Sequence, residues 1–87
     1  MREYRLSADL GVIDLLHSAK PRERAELLAN FHAILRAPNQ PGDWRTRDAS
    51  GREMEVKVFK RWQVTFWVDS PVWEVRVTEV ICINLQS

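Results

Sequence analysis

Hydrophobic and polar positions change period once along the 87-residue chain, close to Trp44. Before that point apolar residues recur at helical spacing, and after it they alternate. Met1 to Leu6 is the exception at the start, predicted as a short strand with Tyr4 and Leu6 on one face and Glu3 and Arg5 on the other. Ser7 follows as a predicted helix cap, with Asp9 in the first turn. This first helix runs to about Ala19, with Leu10, Ile13, Leu16 and His17 along one side and Val12, Leu15 and Ala19 widening the stripe. Lys20-Pro21 breaks the chain, and Pro21 suits the first position of a second helix. Ala25, Leu28, Phe31 and Leu35, with Leu27 and Ile34 beside them, give that helix a broad apolar face. Pro38 to Asp43 is a loop, carrying two prolines and a glycine.

Alternation then predicts three strands joined by two short turns. Asp48-Ala49-Ser50-Gly51 is a turn. Met54, Val56 and Val58 alternate with Glu53, Glu55, Lys57 and Phe59. After Lys60-Arg61, Trp62, Val64, Phe66 and Val68 alternate with Gln63, Thr65 and Trp67. After Asp69-Ser70-Pro71, Trp73, Val75, Val77, Ile81 and Ile83 alternate with Glu74, Arg76, Thr78 and Val80. The predicted fold class is a two-layer α+β domain spanning residues 1–87. In it the N-terminal strand and a helical hairpin pack on a three-stranded antiparallel meander. Its uncovered sheet face is expected to carry Lys57, Phe59, Gln63, Thr65, Trp67, Glu74, Arg76 and Thr78, and function is expected there.

Composition narrows the class. At 45% hydrophobic and 29% charged residues the chain is an ordinary globular sequence, not a disordered tail. A single cysteine, Cys82, cannot build a disulfide framework, and a reducing cytoplasm is the expected location. Cys82 is expected to be a small, buried or half-buried residue of the last strand. His17 and His32 lie on the helices without partners at ligand spacing, so no metal and no cofactor are expected. Apolar runs such as Val80 to Ile83 are far too short for a membrane helix, and the charged N-terminus leads into no signal core.

The net charge of +1 conceals a local excess. Trp44 to Arg61 holds six basic residues (Arg45, Arg47, Arg52, Lys57, Lys60 and Arg61) against three acids, interleaved with Trp44 and Phe59. Such a patch can hold a phosphate backbone, stack on bases, or meet an acidic protein segment. Equally, it can be a solvated edge whose charges discourage strand addition. Trp67 with Phe59 stands out, because a large exposed aromatic patch marks a partner site or a homodimer contact.

Several segments in this order resemble the RelE/ParE superfamily of bacterial toxin–antitoxin toxins. They are Tyr4-Arg5-Leu6-Ser7 before a helical hairpin, the Gly42 loop, Gly51-Arg52, Val56-Lys57-Val58, Trp62 to Asp69, and Glu74 to Val80. The resemblance implies a small cytoplasmic toxin neutralised by a cognate antitoxin. RelE-type members cut messenger RNA on the ribosome with basic residues of the open sheet face and residues near the C-terminus; ParE-type members inhibit DNA gyrase. Lys57 falls where RelE-type enzymes place a functional lysine, and Arg76 can share its face. Two places depart from that pattern. Gln63 stands where many members have arginine, and Ile81 to Ser87 lacks the His/Arg and terminal Tyr of the nucleases. The expectation is therefore a toxin-like protein without a full ribonuclease site. The alternatives are a RelE-type endoribonuclease and a non-toxic interaction or assembly module.

RNA cleavage by 2′-hydroxyl attack needs a base for the hydroxyl and cations for the phosphate. Glu55 is the candidate base, with Lys57 and Arg76 as phosphate clamps. Glu55 and Lys57 share a strand face by their spacing, and an ordinary solvated ion pair is the competing account. Candidate target- or antitoxin-binding residues are Arg52, Lys57, Phe59, Lys60, Arg61, Trp67 and Arg76.

Overall fold

The computed structural model describes residues 3–83. Along the chain run β1 (Arg5–Ala8), α1 (Leu10–Ser18), α2 (Pro21–Arg36), β2 (Trp44–Arg47), β3 (Glu53–Phe59), β4 (Trp62–Asp69), a single 3₁₀ turn (Ser70–Val72) and β5 (Glu74–Cys82). The strands form one sheet in the order β1-β5-β4-β3-β2, with β1 parallel to β5 and every other neighbour antiparallel. Strand, helical hairpin and meander therefore lie as the alternation predicts, in an α+β fold, and β1 pairs beside the meander. β2 is an addition. All four of its residues are exposed, so no apolar alternation marks it in the sequence.

The first elements sit slightly later than expected. Ser7 lies inside β1 and does not cap α1; Asp9 occupies the cap position without a side-chain cap bond. The Met1 and Arg2 part of the predicted strand lies outside the described residues. The carbonyls at the end of α1 are instead satisfied from α2. Arg24 donates through Nε to the Leu16 carbonyl (2.8 Å) and through Nη2 to those of His17 (3.3 Å) and Ala19 (3.0 Å). These carbonyls have no partner within their own helix, and a guanidinium there also meets the negative end of the helix dipole.

The core lies between the helix pair and β5, β4 and β1. Val12, Leu27, Phe31 and Ile34 from the helices meet Trp62, Val64, Phe66, Val75 and Val77 from the sheet, each at most 3% exposed. Burying side chains of this size contributes roughly 1.5–3 kcal/mol each. On α1 the widening residues Val12 and Leu15 pack inward with Leu16 of the main stripe, whereas Leu10 and Ile13 are exposed, as are Leu28 and Ala25 of α2. The expected stripe on α1 is thus rotated toward Val12. Trp73 was expected in the core-facing set; it ends the 3₁₀ turn in the left-handed region (φ 56°) and packs on Tyr4, ring centroids 4.9 Å apart.

Two details of register decide which side chains face outward. Lys60-Arg61 is a two-residue turn, so Phe59 lies opposite Trp62, Lys57 opposite Val64 and Glu55 opposite Phe66. Directly opposed residues share a face. Since Trp62, Val64 and Phe66 face the helices, so do Phe59, Lys57 and Glu55, and Phe59 indeed packs against the core. The expectation that Lys57 and Phe59 lie on the open face is therefore corrected. The second detail is a bulge in the β4–β5 pairing at Thr65/Phe66, where Thr65 pairs with Glu79 and Phe66 with Val77. The extra residue, Thr78, reverses the phase of the rest of β5. Val80 consequently packs on the core and Ile81 points to the open face opposite Gln63. Cys82 lies opposite Trp62 near the end of β5 and is exposed, not the buried or half-buried residue expected.

Candidate functional site

The open face is built from alternate residues of four strands. Trp44 and Thr46 of β2 lie beside Val56 and Met54 of β3; Val56 and Val58 oppose Thr65 and Gln63 of β4; Trp67 opposes Arg76 of β5. Met54 and Val56 are only 2% exposed although the helix pair packs on the other side of the sheet. They form part of the lining of a groove of about 410 Å³ with Trp44, Thr65, Thr78 and Glu79. The sequence pattern marked Met54 and Val56 as apolar, but assigned them to the helix side.

At one end of this face the Trp67 indole carries two guanidinium groups. Arg52 lies 3.9 Å from the ring centroid and Arg76 lies 5.5 Å from it. Contacts this close to a ring face are favourable and hold both groups in place. Their acidic neighbours differ. Arg76 is matched by Asp69 (Nε–Oδ2 3.3 Å) and Glu74 (Nη2–Oε1 3.1 Å), whereas Arg52 forms no salt bridge among the described residues, its acidic neighbour being Asp48, which accepts from the Arg52 amide and interacts with its charge. Arg52 therefore presents a cation without a salt bridge, held against an aromatic surface.

The other candidates lie elsewhere. Glu55 is a structural carboxylate: it accepts from the Gly42 amide (2.7 Å) and from Arg45 Nε (2.9 Å) on the helix side of the sheet. The loop comes so close here that a Cβ at Gly42 would stand 2.5 Å from the Val56 carbonyl oxygen. Asp43 completes the contact, its amide donating to the Val56 carbonyl and its carboxylate accepting from the Val58 amide. Lys57 lies on the same side as Glu55, its Nζ 5.6 Å from the Phe59 ring. The proposed base and clamps are thus divided, with Glu55 and Lys57 on one side of the sheet and Arg76 on the other.

Lys60 is exposed at the hairpin turn with φ 53°. Arg61 beside it is bound to Glu26 of α2, whose Oε1 accepts from Arg61 Nε (3.0 Å) and Trp62 Nε1 (3.1 Å). These bonds, the indole's first, hold the Glu26 carboxyl below its ordinary pKa. Of the basic stretch, Arg45 and Arg47 are paired with Glu53 and Glu55. Pairing thus reduces the local excess to Arg52, Lys57 and Lys60. His17 and His32 are exposed, and no cluster of metal-ligating side chains occurs among the described residues. No helix among them is long and apolar enough to cross a membrane.

No protein-family model matches the chain, and no curated protein matches it. Solved structures do. A chain of the toxin–antitoxin complex RelBE2 from Mycobacterium tuberculosis superposes with a TM-score of 0.74 at 17% identity, over 93% of this chain and 99% of that one. A chain of the archaeal RelE-RelB complex from Pyrococcus horikoshii OT3 gives 0.72 at 10% identity, over 98% and 100%. The isolated E. coli RelE toxin gives 0.64 at 14% identity, over 97% and 88%. Over nearly its whole length, the chain has the fold of the RelE toxins.

Proposed function

We propose that this chain is the toxin-like component of a bacterial type II toxin–antitoxin pair, active in the cytoplasm and silenced by a cognate antitoxin. The observation that carries the reading is its full-length likeness to RelE structures, two of them complexes of RelE with RelB or of toxin with antitoxin. Its working surface is the open face at Arg52, Trp67 and Arg76, where two guanidinium groups rest on one indole.

The same chain lacks a complete ribonuclease site. Support comes from the separation of Glu55 and Lys57 from Arg76, and from the engagement of both Glu55 carboxylate oxygens with Gly42 and Arg45. General base catalysis needs a carboxylate free to approach the hydroxyl it deprotonates. Inhibition of a protein target such as DNA gyrase needs no such group.

Induced expression tests both parts. Growth arrest relieved by co-expressing the neighbouring small reading frame is expected, with messages intact by primer extension on translated transcripts. Codon-positioned cuts that disappear in Lys57→Ala would replace this reading with a RelE-type endoribonuclease. Normal growth at high expression, with only a stable complex or homodimer formed, would replace it with a non-toxic assembly module.

A further inference from the structure

The turn that leads into β3 fixes Arg52 at both polar groups of its backbone. Its amide donates to Asp48 Oδ1 (2.9 Å), and its carbonyl accepts from the Asp48 amide (3.0 Å). The turn is closed by the Gly51 amide on the Asp48 carbonyl (3.0 Å) and by Arg47 Nη1 on the Gly51 carbonyl (2.9 Å). The far end of the Arg52 side chain is held as well, its guanidinium 3.9 Å from the Trp67 ring centroid. Ordering a long arginine side chain is one of the costs of association, and the fold has met part of it before any partner arrives.

What the fold leaves unused is hydrogen bonding. The Arg52 guanidinium makes no hydrogen bond and no salt bridge among the described residues, and the residue is exposed. Asp48 interacts with its charge, but Asp48 Oδ1 is engaged by the Ser50 hydroxyl (2.6 Å) and by the Ser50 and Arg52 amides. The Trp67 indole N–H also has no partner among the described residues, and it reaches solvent, since no buried side-chain polar atom among them lacks a partner. Guanidinium and indole are donors only, so the pair calls for an acceptor.

We infer that Arg52 and Trp67 form the docking point for a carboxylate side chain, aspartate or glutamate, presented by a protein partner. The carboxylate accepts two parallel hydrogen bonds from the guanidinium fork, and the indole holds that fork in place. A nucleic-acid backbone is the poorer occupant. Asp48 beside Arg52, and Asp69 and Glu74 beside Arg76, would repel the phosphates that follow the first, whereas a single carboxylate needs only the fork. The inference rests on the toxin reading only in making the partner a protein.

The test is an NMR titration of the full chain with the peptide acetyl-Ala-Glu-Ala-amide, following the Arg52 Nε–H and Trp67 Nε1–H signals. The neutral acetyl-Ala-Gln-Ala-amide and a hexauridylate serve as comparisons. The glutamate peptide is expected to shift both signals and the glutamine peptide to leave them in place. Arg52→Gln is expected to weaken the glutamate peptide about three- to fivefold, followed at Trp67, as loss of one exposed charge pair does. Arg52 is exposed, so an unchanged backbone amide spectrum of the free variant verifies its fold, and the wild-type comparisons stand without it. No shift with the glutamate peptide, equal affinity in Arg52→Gln, or tighter binding of hexauridylate would overturn the assignment. A chain that arrests growth yet fails this titration loses the carboxylate assignment alone; one that passes it without arresting growth keeps the docking point and loses the toxin reading.

Discussion

Phe59 faces Trp62 across a turn of only two residues, and this opposition determines which side of the sheet each residue of β3 occupies. Lys60, the first residue of that turn, has φ 53°, a conformation costing an L-residue about 1–2 kcal/mol and glycine almost nothing. Lys60→Gly is therefore expected to stabilise the protein by about 0.5–1 kcal/mol, less the added freedom of the unfolded chain. The urea midpoint measures it, and a lower midpoint would contradict the turn geometry.

Arg24 serves three carbonyls at the C-terminal end of α1 from its place on α2. Arg24→Ala is expected to cost about 1.5–3 kcal/mol, the range for hydrogen bonds to a charged group. Arg24→Lys should recover only part of this, since an ammonium cannot reproduce the guanidinium fork. Equal stability of all three proteins in urea would dismiss the capping role.

Gly42 permits the loop before β2 to lie against β3. A Cβ there would meet the Val56 carbonyl oxygen at 2.5 Å, a backbone atom that cannot swing aside. Gly42→Ala is expected to destabilise by about 1–3 kcal/mol, as overpacking does elsewhere. A thermal midpoint matching wild type would show that the loop stands farther from β3.

Glu26 makes stability depend on acid. Its carboxyl is held below the ordinary value of 4.5, first by the Trp62 indole N–H and then by Arg61. A carboxyl with a depressed folded pKa contributes stability above about 4.5 that is lost as pH falls through the lowered value. Urea midpoints at neutral and at acidic pH should differ less in Glu26→Gln than in wild type. The Asp48 carboxyl, lowered chiefly by the Ser50 hydroxyl, acts in the same direction and remains in that variant.

What the sequence made legible was the identity of most elements, because apolar spacing reflects burial directly. Phe31 and Leu27 marked α2, and Trp62, Val64 and Phe66 marked the helix-facing side of β4. The phase of β3 was not legible from alternation alone. Met54 and Val56 are apolar because they line a groove on the open side, a second small apolar surface that alternation cannot distinguish from the main core. The length of the Lys60-Arg61 turn held the missing information, since it forces Phe59 opposite Trp62. The bulge at Thr65/Phe66 had no comparable signal, so alternation placed Ile81 on the wrong side. β2 was invisible for another reason. Its Trp-Arg-Thr-Arg sequence is exposed throughout and held by backbone pairing and by ion pairs to Glu53 and Glu55. Of the candidate site, Arg52, Trp67 and Arg76 were foreseen and come together. Glu55, Lys57 and Phe59 were foreseen and lie on the opposite side, while Lys60 and Arg61 occupy the turn, Arg61 bound to α2.

We propose that the chain acts as a toxin through the Arg52–Trp67–Arg76 corner. Growth on induction, compared between wild type, Trp67→Ala and Lys57→Ala at matched soluble levels, tests it most directly. Arrest by wild type and by Lys57→Ala, with growth restored in Trp67→Ala, is the expected result. Normal growth with wild type, or arrest by Trp67→Ala as strong as by wild type, would contradict it.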